Sequence, residues 1–162
     1  MGANGVAFGL QVAGLPGRWF TAPALPPVIP GATDAMAGQS LGAIGDSAVV
    51  DALGFGAMTC GIAPLTDQRL AQVLSPQALT RTRLLLDVHY PQEAMLGDGL
   101  GLRMGLRASR VIALAARPVV SLGVLDRNGR GGRLDGGFFT APVEPFSHAC
   151  ASLESHRDQA IA

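Results

Sequence analysis

Pro118–Thr140 reads PVVSLGVLDRNGRGGRLDGGFFT, and this stretch decides the fold class. Pro118–Leu125 is β-branched and continuously apolar, the kind of run found where both faces of a strand are covered. Asn128-Gly129 supplies the residues a tight hairpin turn favours, so Arg133–Thr140 is predicted to return beside the first run. A second hairpin is predicted nearer the start, where Val6–Val12 and Arg18–Ala22 flank the turn residues Gly14-Leu15-Pro16-Gly17. The segments between the hairpins read as helices. Asp46 or Ser47 caps a helix through Val49–Cys60, and Thr66–Leu74 forms the next. Ser75-Pro76 opens another through about Tyr90, closed by Pro91, with Leu79, Leu86 and His89 near one face. Ser109 caps Arg110–Ala116, and Pro142–His156 is the last helix, with Phe146, Ala149, Cys150 and Leu153 on its inner face. Strands and helices do not alternate regularly. The prediction is therefore an α+β fold, mixed or antiparallel hairpins packed with about four to five helices, in a single domain over residues 1–162.

Pro23–Gly31 (PALPPVIPG) is too proline-rich for a helix or a central strand. It is expected to run extended and stiff against a surface. Composition narrows the chemistry. Of 162 residues, 48% are hydrophobic and only 15% charged, against roughly a quarter charged in an average domain, so disorder is not expected. Twelve arginines balance twelve acidic residues, which removes the field expected of a nucleic-acid or acidic-membrane binder. The chain has no lysine, which excludes a Schiff base, a pyridoxal-phosphate site and a P-loop. Any anion must be held by guanidinium or backbone N–H groups. The longest apolar stretches fall short of the roughly 20 residues a spanning helix needs, and no positive residue precedes Arg18 as a secretory signal requires. Cys60 and Cys150 are too few for a disulfide scaffold and are read as reduced, buried thiols of a cytoplasmic protein.

Gly45-Asp46-Ser47 looks like the opening of a hydrolase site, but no Asp-x-x-His follows to supply a base. The plainer reading is a helix start whose N–H groups can hold an anion. Arg127, Arg130 and Arg133 recur every three residues in the hairpin tip and could clamp a phosphate or carboxylate, or simply be solvated. Gly97–Gly105 carries Met104 where a dinucleotide fingerprint needs its third glycine, which excludes a Rossmann site. His148 and His156 lie too far apart on one helix, with Cys150 between them, to share a metal. No metal and no cofactor are expected. The most distinctive run is Asn4 to Pro23, where the chain's only tryptophan, Trp19, stands beside Arg18 and is bracketed by glycines.

Four strings in order, ANGVAFGLQVAGLPGRWFTAPALP (3–26), IGDSAVVDALGFGAM (44–58), RASRVIALAARPVVSLGVLD (107–126) and GRLDGGFFTAPVEPF (132–146), resemble the C-terminal part of the YlbE/YahG-like bacterial family. The resemblance implies one part of a longer, multi-subunit enzyme related to oxamate carbamoyltransferase, encoded beside FdrA-like proteins. It implies a small-anion or substrate site at Asn4, Arg18, Trp19, Thr21, Asp46 and Ser47, which match the family pattern where they stand. The strand and tip region departs from that pattern at Val120–Asp126 and Gly132–Gly137, where a polar pair and a histidine are replaced. An enzyme subunit holding a small anion is thus one expectation, with an FdrA-like subunit as its protein partner. The other is a non-catalytic assembly domain that packs on such a partner or forms a homo-oligomer, which low surface charge favours.

Overall fold

A computed structural model describes residues 1–86 and 104–161. Four short strands form an antiparallel sheet: β1 (Gly2–Asn4), β2 (Ala7–Leu10), β3 (Phe20–Pro23) and β4 (Ile44–Gly45), in the order β3-β2-β1-β4. The expected hairpin is β2–β3, in register Ala7↔Pro23 to Leu10↔Phe20. Strand β1 was not anticipated. It closes on β2 through an Asx turn in which the Asn4 Oδ1 accepts from the N–H groups of Val6 (3.0 Å) and Ala7 (2.8 Å).

The second sheet is the predicted hairpin, β5 (Val119–Leu125) with β6 (Arg133–Thr140). Its turn is held by one side chain. The Asp126 carboxylate accepts from the N–H groups of Asn128, Arg130 and Gly131, which lowers its pKa below the usual carboxylate value. Successive residues point to opposite faces of a strand, so the hairpin divides the interior into two cores. Val120 and Phe139 face the main core with Phe8, Phe146, Leu85 and Val111. Val119 and Phe138 face a smaller one with Ala57, Cys60 and Leu70. In the main core the Phe8 ring lies 5.7 Å from Phe139 and 6.3 Å from Phe146, within the range of favourable aromatic pairs.

The proline-rich arm lies against the hairpin as expected: Val28 and Phe138 exchange backbone hydrogen bonds of 2.8 Å each way, and Ile29 is buried. Six helices occur among the described residues: α1 (Asp34–Gln39), α2 (Ser47–Leu53), α3 (Pro64–Leu70), α4 (Pro76–Arg83), α5 (Ala108–Ala113) and α6 (Glu144–Ile161). Several expectations are corrected. Helix α1, capped by the Thr33 hydroxyl, was not foreseen. Helix α2 stops at Leu53 rather than reaching Cys60, because Gly54 turns left-handed (φ 109°) and Phe55 N–H closes back on the Val50 carbonyl; a short 3-10 helix, Gly56–Thr59, follows. Helix α3 begins at Pro64, proline being favoured at a first helical position, and ends at Leu70. Ser75 caps α4 as predicted, its Oγ accepting from Ala78 N–H at 3.2 Å, but the helix ends at Arg83. The expectations for His89, Tyr90, Pro91 and most of Gly97–Gly105 lie outside the described residues. Helix α5 starts at Ala108 with Arg107 in the cap position, and Ser109 makes no cap. Cys60 is buried, whereas Cys150 is half-buried. No single described helix is long and apolar enough to cross a membrane.

Candidate functional site

The first hairpin and α2 wall a cavity of about 540 Å³, lined among others by Asn4, Gly9, Trp19, Thr21, Asp46 and Val49. Strand alternation explains which side chains reach it. Phe20 points into the core, so Trp19 and Thr21, on either side of it, face outward. Trp19 is 57% exposed and packs against Gly9, where an added Cβ would stand 2.9 Å from the indole. A glycine at that point of β2 is what lets the ring approach the sheet.

Four of the six residues named from the sequence meet here: Asn4, Trp19, Thr21 and Asp46. Arg18 and Ser47 are not among the lining residues. The Arg18 guanidinium lies over the Phe20 ring, 5.1 Å from its centroid, on the side of the strand away from Trp19. Ser47 is the first residue of α2 and half-buried. Asp46 holds the cap position but its carboxylate makes no capping hydrogen bond and is exposed. Among the described lining residues it is the only one with an ionisable side chain. Helix α2 has seven residues, and a carboxylate already stands at its start, so its N-terminus is no place for an anion.

The polar character of the cavity is therefore specific. Asn4 spends its carbonyl oxygen on the turn, which leaves the amide nitrogen free to donate. Thr21 can donate or accept, and Asp46 accepts. A flat aromatic wall, one donor, one hydroxyl and one acceptor suit a small planar molecule carrying N–H groups better than a bare anion. Among the described residues no three of His, Cys, Asp and Glu gather as a metal site.

Asp51 was missed by the sequence reading. Its carboxyl is 1% exposed beneath the 3-10 helix and accepts from the N–H groups of Ala57 (2.6 Å) and Ser121 (3.4 Å), tying α2 to β5. Burial pushes its pKa up to about 7, against the opposing effect of those hydrogen bonds. The available signal was a single acid inside the apolar run SAVVDALGFGAM, where only a partnered carboxyl is tolerated.

Comparison with known proteins supplies the lineage. A family model described as "Oxamate carbamoyltransferase subunit AllG" matches residues 1–47. Oxamate carbamoyltransferase subunit AllG of Escherichia coli (strain K12) is 27% identical over 157 residues, covering 94% of this chain and 38% of that protein. The uncharacterized protein YahG of the same strain is also 27% identical over 157 residues, covering 92% of this chain and 32% of its own length. The chain thus spans well under half the length of the curated relatives it matches. A crystal structure of a conserved protein of unknown function from Enterococcus faecalis V583 shares the fold, with a TM-score of 0.69 at 24% identity over 96% of this chain and 38% of that one. Both sequence comparisons point the same way: the chain is similar to AllG and YahG, and the family model matches it at its first 47 residues.

Proposed function

We propose that this chain provides a substrate-binding face for carbamoyl-transfer chemistry of the kind its relative AllG is named for, and that the Trp19 cavity takes a small molecule bearing a primary amide. One observation carries the reading. Every described residue lining the cavity except Val49 lies within 1–47, the stretch the family model matches. In this reading the amide plane rests on Trp19, its N–H groups donate to Asp46, and its carbonyl accepts from the Asn4 amide nitrogen or the Thr21 hydroxyl. Asp46 and the Thr21 hydroxyl are placed to hold the amide, and in this reading bond making belongs to other parts of the assembly, an FdrA-like subunit among them.

Trp19 is the chain's only tryptophan, so its emission reports the cavity alone. Titration with oxamate is expected to change that emission saturably, and Asp46→Ala to weaken binding about tenfold, the effect of one hydrogen bond to a charged group. Carbamoyl phosphate serves as a second ligand. An emission that responds to neither compound refutes the reading.

A second reading, assembly, is favoured by one surface. Val49, Val50 and Leu53 are each about half exposed on α2, beside the Trp19 cavity. Its occupant would be a second copy of this chain. Light scattering should then show a dimer that Val50→Asp dissociates; a monomer at all concentrations removes it.

A further inference from the structure

A second cavity, of about 300 Å³, opens between α3 and the β5–β6 hairpin and is lined by Arg69, Ser121, Gly123, Arg133 and Gly136 among others. It differs from the first in its charge. Arg69 reaches across from α3, stacked on Phe138 at 5.7 Å, with its Nη2 donating to the Gly136 carbonyl at 3.3 Å. Arg133 comes from β6, its Nε donating to the Asp135 carbonyl at 3.3 Å. A Cβ built on Gly136 would stand 3.6 Å from an Nη2 of each arginine, so the two guanidinium groups converge on one point.

Two like charges that converge repel one another unless something negative lies between them. Nothing negative does among the described residues. Among the described residues the salt bridge runs from Arg83 to Asp67, and neither Arg69 nor Arg133 pairs with a carboxylate. The nearby acids are otherwise engaged: the Asp135 carboxylate accepts from Gly136 N–H at 2.6 Å, and Asp51 is buried behind Ser121. Each guanidinium has five N–H donors and spends one on a backbone carbonyl. The remaining donors face a floor of glycines, Gly123 and Gly136, that leaves a ligand room to approach.

We propose that Arg69 and Arg133 form an oxyanion site that takes a phosphate group. Phosphate is favoured over a carboxylate because two uncompensated guanidinium charges are matched by a group carrying about −1.5 to −2, which also has enough oxygens to serve both forks. The site shares no lining residue with the Trp19 cavity and stands or falls apart from it.

The test is calorimetric titration of the full chain with inorganic phosphate, with acetate at matched ionic strength as the carboxylate arm. Saturable heat with phosphate is expected, weaker by about tenfold or more in Arg69→Gln and in Arg133→Gln, both exposed positions at which the fold is retained. Gly136→Ala gives an independent check. Its φ is not positive and the three atoms nearest the new methyl all belong to the two guanidinium groups, at ordinary contact distance, so it enters the site without straining the strand. It should weaken phosphate binding while the melting temperature stays put. Absent phosphate heat, heat unchanged in both glutamine variants, or equal affinity for acetate each overturns the proposal.

Discussion

The two hairpins present opposite solutions to one problem, how a charge-poor chain builds a polar site. The Trp19 cavity is walled by glycines, alanines and a few larger apolar side chains, and among its described lining residues the one ionisable side chain is a carboxylate. The cavity on the β5–β6 hairpin holds two arginines and no acid among its lining residues. The first therefore selects hydrogen-bond donors and the second an anion. The difference comes from strand alternation. In β3 it sends Phe20 inward, with Arg18 lying on its ring, while in β6 it buries Phe138 beneath Arg69 and leaves Arg133 outside.

The comparison breaks most violently through the cores that support it. Phe146→Ala empties the main core beneath the first sheet and is expected to cost about 3–5 kcal/mol in chemical denaturation, with the Trp19 emission altered. Leu70→Ala, in the smaller core under Arg69, should cost about 2–5 kcal/mol and weaken phosphate binding while leaving oxamate binding intact. Equal loss of both ligands in Leu70→Ala would show that the two regions are not separable.

A subtler division concerns pH. The Asp51 pKa is raised from 3.8 to about 7 in the folded state, so between these values the native chain holds a proton that the unfolded chain has released. Stability contributed by that proton is complete below about pH 4, falls as pH rises through 7, and is flat above. Asp51→Asn keeps the acceptor for Ala57 and Ser121 but cannot ionise; its melting temperature should lack this decline across pH 4 to 7. A decline that persists in the variant places the titration elsewhere. Smaller still, Gly9→Ala should displace the exposed indole and shift its emission at a cost of about 1 kcal/mol, since the ring can swing aside into solvent. The least effect is expected from Arg83→Gln, an exposed guanidinium 3.3 Å from the half-buried Asp67, at about 0–1 kcal/mol.

Much of this arrangement is written in local pattern. Both hairpins follow from apolar runs around Gly, Pro and Asn-Gly, and the prolines of 23–31 announce an arm that lies flat on β6. Helix ends were harder. Val49–Cys60 reads as one helix until Gly54 takes its left-handed φ, a choice that packing rather than composition makes. For the candidate site, the motif residues name the right neighbourhood, but facing is a property of pairing register, so Arg18 could be seen beside Trp19 without revealing that it lies on the opposite side. Arg133 was visible as part of an arginine-rich tip, yet its companion there is neither Arg127, which donates to the Gly38 carbonyl at 3.2 Å, nor Arg130. It is Arg69, which bonds a carbonyl 67 positions away. No spacing rule brings such residues together.

The most direct measurement is a paired titration of Trp19 emission with oxamate and oxalate, near-isosteric molecules that differ in whether an amide N–H is present. Asp46 should favour the amide and repel the second carboxylate, so oxamate is predicted to bind at least about tenfold more tightly. Oxalate binding as tightly as oxamate, or more so, would contradict the assignment of the cavity.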